Sequence, residues 1–313
     1  MLQVLSTVLP VFLLLACGYA GAKSGYLKSD TAEALSSFAV RLAVPALLFR
    51  AMYKLDLAQA FHPFLLIAFY TGVFSCFVLG IVLSRTVWGK RPGEAVSIGF
   101  TVMFSNTVLL GLPIMERAYG PLSLTPVYGI VALHAPSLYI VGMITMELSR
   151  RDGRPLMQTL ATAGRSILTN SLMVGILAGL AVNLAGLILP EPIEAAVSML
   201  AAAAIPAALV GIGSSLTRYS PRTEPAASLM VATLSLVVHP AIAFVLAYFL
   251  FALPPEYVRA AVIVAAMPPG MNGYVFALMY DRAVGLAATS LLISTVLSVF
   301  TISCWLAILG ALL

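Results

Sequence analysis

The sequence predicts an all-α polytopic membrane protein with ten transmembrane helices. They form two inverted five-helix repeats with broken, crossing helices 4 and 9. Three observations predict this. Of 313 residues, 61% are hydrophobic and only 9% charged, where a soluble domain carries about 25% charged residues. Basic residues alternate from loop to loop. The chain also echoes itself at an offset of 161 positions.

A helix crosses the hydrocarbon core with about 20 apolar residues. Ten runs reach that length: 3–22, 31–53, 62–84, 94–119, 123–147, 166–189, 192–216, 226–252, 257–280 and 284–312. No soluble domain fits between them. The longest polar stretch, Ser149 to Arg165, supplies a cytoplasmic connecting loop over 151–165, between repeats at 1–150 and 166–313. The first run is expected to be a span rather than a cleaved signal peptide, because the first basic residue, Lys23, follows it.

A net charge of +5 and a pI near 9.2 raise the question of a nucleic-acid partner. The placement of the charges argues against one. Alternate loops, from Lys23 to Arg282, hold 12 Lys and Arg, while the other side holds only Arg50, Lys54, Arg117 and Arg259. The positive-inside rule then puts both termini outside the cytoplasmic membrane. Cys17, Cys76 and Cys304 fall inside spans without metal or redox spacing and read as packing residues. Neither a cofactor nor a metal is expected.

The echo aligns Gly18 with Gly179, Gly25 with Gly186, Glu33 with Glu194, Pro45 with Pro206 and Tyr119 with Tyr280. Five spans per half is an odd number, so the second half enters from the opposite face. The same offset sets Ser105–Pro113 opposite residues 266–274. Each segment interrupts a span with Gly, Pro and Asn. Hydrocarbon tolerates broken helix only where the freed backbone is buried in protein or lines a cavity. A matching pair of interruptions is a pointer to a transporter's binding site; ordinary proline kinks are the plainer alternative.

In span four, Pro113 suits the first turn of a second half-helix, and Gly111 lets the chain leave helical geometry just before it. In span nine, Pro268 and Pro269 stop the first half-helix, and Gly270 and Gly273 free the chain between the halves. The two spans run in opposite directions, so both second halves aim their N-termini at the midplane. Each N-terminus carries about half a positive charge and unpaired N–H donors, which suits a carboxylate. Asn106 and Asn272 lie in the breaks, where an amide can bind substrate or satisfy orphan backbone groups. Ser105, Thr107 and Met271 complete the expected lining.

Arg41, His134 and His239 fall near mid-span, where ionisable residues are functional candidates. His134, two residues before Pro136, can carry a proton with the substrate or sense pH. It can equally sit neutral between helices. His239 reads as the neutral kind, and Arg41 as paired with a neighbour. Glu116, one turn past Pro113, is either a coupling group or half of a solvated helix end with Arg117. No carboxylate lies inside a break, which weakens a sodium site; proton and sodium coupling both stay open.

Leu9-Pro10-Val11-Phe12…Gly18-Tyr19, Leu42-Ala43-Val44-Pro45-Ala46-Leu47-Leu48-Phe49 and Ser105-Asn106…Gly111-Leu112-Pro113…Tyr119-Gly120 resemble the auxin efflux carrier family, as does Ala265-Ala266-Met267-Pro268…Asn272. The resemblance covers essentially the whole chain. It implies a fold like the bile acid–sodium symporters, a scaffold of spans 1, 2, 6 and 7, and a mobile transport domain of spans 3–5 and 8–10. It also implies a homodimer, elevator-type movement, and crossover-site roles for Asn106, Pro113 and Pro268–Asn272. Family members carry organic anions: auxin in plants, malate or malonate in bacteria. The chain lacks the large hydrophilic loop of the long plant exporters, which favours the bacterial branch.

An intramembrane enzyme would need an acidic metal-binding cluster or a histidine–acid pair at mid-membrane; His134 is read as having no acidic partner in its own helix, and no Asp-rich motif appears. No P-loop motif is present. The sequence therefore favours a secondary transporter of small carboxylates over a sensor that binds an anion without flux.

Overall fold

The computed structural model describes residues 2–150, 165, 168–218 and 223–313. The expected 151–165 loop, apart from Arg165, lies outside the described residues, as do Arg151, Arg154 and Arg222. The described residues form helices α1 (Leu2–Lys23), α2 (Ser29–Tyr53), α3 (Pro63–Thr86), α4 (Pro92–Met103), α5 (Leu112–Tyr119) and α6 (Leu124–Arg150). Then follow α7 (Ser171–Leu184), α8 (Glu191–Leu216), α9 (Pro225–Leu250), α10 (Pro255–Ala265), α11 (Met271–Tyr280) and α12 (Val284–Leu312). Six are long and apolar enough to cross a membrane: α2, α3, α6, α8, α9 and α12. Val8–Lys23 and Ser171–Leu184 are shorter apolar helices. The runs 94–119 and 257–280, expected as spans four and nine, each form a pair of short helices, α4/α5 and α10/α11.

Helix starts follow local chemistry. Pro63, Pro92, Pro225 and Pro255 occupy first-turn positions, where the missing N–H costs nothing. At α4 the Glu94 carboxylate accepts from the Arg91 N–H at 2.9 Å, and at α7 the Asn170 side chain caps the Leu172 N–H at 2.9 Å. Asn183 of α7 donates to the carbonyls of Met52, Tyr53 and Leu55, tying off the end of α2. Gly25 and Gly186, partners at the 161 offset, both turn the chain at positive φ, +77° and +62°.

Prolines inside the spans shape the helices differently. Three π-helical turns, Ala39–Ala43, Thr107–Gly111 and Leu234–Val238, each end two residues before a proline: Pro45, Pro113 and Pro240. A proline lacks the donor for the i−4 carbonyl and its ring crowds that oxygen. Widening the preceding turn relieves the crowding, and such bulges recur at functional sites.

The helices make two groups of close contacts, joined where α1 meets α5 and α12. In the first, α1 lies on α8, α7 on α2, and α8 on α2. The approaches are close because glycines face backbone: Gly18 sits against the Val210 carbonyl, Gly213 against Leu15, Gly175 against Pro45 and Gly179 against Phe49. Lys54 pairs with Glu194 at one end of the α2–α8 crossing; Arg218 reaches Glu33 at 3.7 Å at the other. In the second group α3 packs on α4 and α9, α4 on α6 and α11, and α9 on α12. The crossover of the two broken spans lies in this second group.

Candidate substrate-binding site

The two breaks meet directly. The Asn106 N–H donates to the Pro268 carbonyl at 2.8 Å, and the Gly270 N–H donates to the Phe104 carbonyl at 2.6 Å. Ser105 and Pro269 form an isolated antiparallel bridge. Backbone groups freed by breaking one helix are thus satisfied by those freed in the other, as a low-dielectric setting requires. Thr107, Val108 and Leu109 open the second half of one span, and Met271 and Asn272 open the second half of the other. First-turn N–H groups have no intrahelical partner.

The glycines act differently from expectation. Gly111 lies in ordinary right-handed geometry (φ −63°, ψ −49°) inside the π turn, so the chain does not leave the helix there. It departs earlier, at Phe104 (ψ 82°) and Asn106 (ψ 61°). The turn that accommodates Pro113 draws residues 107–111 into the second half-helix. Gly270 is extended and Gly273 helical, so neither supplies a special backbone angle. Both permit close approach: a Cβ on Gly273 would stand 3.0 Å from Thr101 Cα, and one on Gly270 3.4 Å from the Phe104 carbonyl oxygen.

A cavity of about 180 Å³ lies between this crossover and the facing helices α2 and α7. Ser105, Asn106, Thr107, His134, Gly270, Met271 and Asn272 all line it. Pro268 and Pro269 are not part of its wall; they pair with Asn106 and Ser105 behind it. Gly111, Pro113, Glu116 and His239 are not part of its wall either. Glu116 is exposed beside Arg50 and Lys54 in a separate cavity of about 330 Å³. His239 is fully buried, its Nε2 3.4 Å from the Phe69 carbonyl oxygen and its ring against Gly72. Arg41 is exposed on α2.

Several polar groups in the wall lack protein partners. The Ser105 Oγ and both ring nitrogens of His134 are buried without a hydrogen bond among the described residues. The Ser105 backbone approaches the His134 ring as a loose partner that falls short of a well-formed hydrogen bond, and the ring stands edge-on to Phe104 at 5.0 Å. Buried polar atoms are normally satisfied, so these orphans point to a ligand or to water. Among the described residues lining the cavity there is no Asp, Glu, Lys or Arg, and no cluster of His, Cys, Asp and Glu that could hold a metal ion.

Sequence reasoning missed Tyr139. Its hydroxyl donates to Asn272 Oδ1 at 3.3 Å across 133 residues of chain, which leaves the Asn272 NH₂ oriented for other partners. A tyrosine at mid-span was the available signal, but nothing local names its partner. A typical hydrogen bond contributes about 0.5–1.5 kcal/mol. Tyr139→Phe is therefore expected to weaken ligand affinity roughly two- to tenfold without loss of fold, as read by titration and melting of the purified protein.

The model of the membrane transport protein family matches residues 3–306. The chain belongs to that family, the auxin efflux carriers. It is a membrane transporter rather than an enzyme. A Rhizobium meliloti (strain 1021) protein named "Putative malonate transporter" is 25% identical over 304 residues, covering 97% of this chain and 95% of that protein. An "Uncharacterized transporter" of Methanothermobacter thermautotrophicus is 27% identical over 311 residues, covering 97% of each. The "Lysosomal cholesterol signaling protein" of Mus musculus is 29% identical over 148 residues, covering 46% of this chain and 17% of that protein.

Proposed function

We propose that the chain is a secondary transporter of small organic anions across the cytoplasmic membrane, with the carboxylate bound at the crossover of spans four and nine. The observation that carries this reading is the backbone pairing of the two breaks beside a small cavity with orphaned polar atoms. Two half-helix N-termini at one spot favour negative charge. The name of the Rhizobium meliloti relative supports a C3 dicarboxylate such as malonate; malate and auxin-like acids are related candidates.

The transport cycle we infer is of the elevator type. α1, α2, α7 and α8 form a scaffold, the other helices carry the site, and the ten spans form two inverted repeats with both termini outside. The cavity's position on the boundary between the two groups supports this division. Counterpart contacts at the 161 offset support the repeat: Gly18 approaches α8 as Gly179 approaches α2. The cavity shares Val40, Leu109, Met271 and Val275 with a larger one of about 340 Å³ that holds Glu33 and Arg218. On the positive-inside assignment that cavity opens to the cytoplasm, so the conformation faces inward. A homodimer follows from family resemblance. Proton or sodium coupling is part of the same proposal.

The first test is a melting screen of the purified protein with mono- and dicarboxylates and with amines of matched size. A ligand at a hundred times its Kd stabilises by about 2.7 kcal/mol. Carboxylates are expected to raise the melting midpoint and amines to leave it unchanged. Stabilisation by amines would overturn the anion reading. The second reading is a sensor that binds an anion without flux; the name of the Mus musculus relative supports a signalling role only, since the ligand it names, cholesterol, is not an anion.

A further inference from the structure

We propose that this site binds a dicarboxylate together with one proton, and that the proton resides on the His134 imidazole beside the second carboxylate. The proposal rests on the reading of the cavity as a carboxylate site and adds the charge state in which the cargo is carried.

Two half-helix N-termini supply together about one positive charge, enough for one carboxylate. No Lys or Arg among the described lining residues can answer a second. An unpaired carboxylate buried in an apolar cavity is strongly disfavoured, and so is an unpaired imidazolium. Side by side they form an ion pair. Among the described lining residues His134 is the one histidine; it is 2% exposed, and neither Nδ1 nor Nε2 makes a well-formed hydrogen bond, the Ser105 backbone approaching the ring only loosely. The balance is simple: a dianion and a proton enter, and a singly negative complex results, with no bond made or broken in the cargo. The proton and the anion are each poorly held alone, so each depends on the other for loading.

The surroundings leave His134 as the proton's place. From α3 it meets Phe69 and Tyr70, whose hydroxyl is committed to the Ile130 carbonyl at 2.8 Å. Tyr139, on its own helix, is committed to Asn272. His239 of α9 stands behind the Phe69 ring, 5.0 Å from it, and outside the cavity wall. The charged groups of the neighbouring elements, Arg50 and Glu116, face Tyr128 at the other cavity, and Arg259 lies over the Tyr119 ring at 4.8 Å.

The test is calorimetric titration of the purified full chain with malonate, malate, succinate and propionate, in buffers of differing ionisation enthalpy above pH 7. One proton is expected to be taken up per dicarboxylate and none per propionate. Dicarboxylate affinity then falls about tenfold per pH unit as pH rises. His134→Gln is expected to abolish both the uptake and the slope while propionate still binds, and His239→Gln to retain one-proton uptake. Dicarboxylate binding without proton uptake in the unmodified protein would overturn the proposal whatever the variants do. Undiminished uptake in His134→Gln would also overturn it, by placing the proton on the cargo. Absence of any carboxylate binding would overturn it together with the reading beneath it, whereas binding without proton uptake leaves that reading intact.

Discussion

Asn106→Ala is expected to lower carboxylate affinity by about 10- to 150-fold, the range for a hydrogen bond to a charged group of about 1.5–3 kcal/mol. The Asn106 backbone makes the crossover: its N–H goes to Pro268, and its carbonyl accepts from Leu110 at 3.3 Å and Gly111 at 3.1 Å. Alanine keeps all of these. The side-chain amide, by contrast, lines the cavity and has no partner among the described residues. The variant should therefore melt like the parent protein and still lose affinity. Asn106→Asp should lose more, because it sets a carboxylate against the carboxylate of the cargo. Titration and melting of the same preparations check both. Unchanged affinity in Asn106→Ala would remove the amide from the site.

Gly273→Leu is expected to abolish transport and to cost stability of the order seen for overpacking, about 1–3 kcal/mol. Even a Cβ at this position would sit 3.0 Å from Thr101 Cα and 3.2 Å from its Cγ2. Backbone cannot swing aside as a side-chain tip can, so α11 must move off α4. That displacement opens the Gly270-to-Phe104 and Asn106-to-Pro268 hydrogen bonds that hold the breaks together. Gly111→Ala is the contrasting case. Its Cβ would meet Met267 Cγ at an ordinary 3.5 Å in normal helical geometry, and alanine favours helix by up to about 1 kcal/mol. It is expected to fold and transport like the parent. Full transport by Gly273→Leu would show that the breaks need not touch.

These contrasts mark what was legible in the sequence. The interruptions themselves were, because Pro, Gly and Asn are rare company within an apolar run. The lining residues Ser105, Asn106, Thr107, Met271 and Asn272 followed from their position in the breaks. Less legible was why each glycine is there. Gly111 and Gly273 look alike in sequence, yet one tolerates a Cβ and the other abuts the Thr101 backbone. The 161 offset also pairs Asn106 with Met267 rather than with Asn272, because the second break is longer and lacks the π turn that Pro113 imposes. Contacts between distant segments, such as Tyr139 with Asn272 and the facing wall of α2 and α7, leave no local trace. His134 and His239 were similar candidates by span position. Burial against Phe69 separates them: one faces the cavity, the other the α3 backbone.

Carboxylate passage across the membrane at the crossover is open to direct measurement. Counterflow in proteoliposomes tests it most directly: vesicles loaded with unlabelled malonate, malate or succinate are diluted into labelled dicarboxylate, and uptake is followed under proton, sodium or no gradient. Transient accumulation of label is expected, and Asn106→Ala and Asn272→Ala are expected to suppress it while remaining folded. Binding of the same dicarboxylate without counterflow under any of these gradients would contradict it and identify a sensor instead.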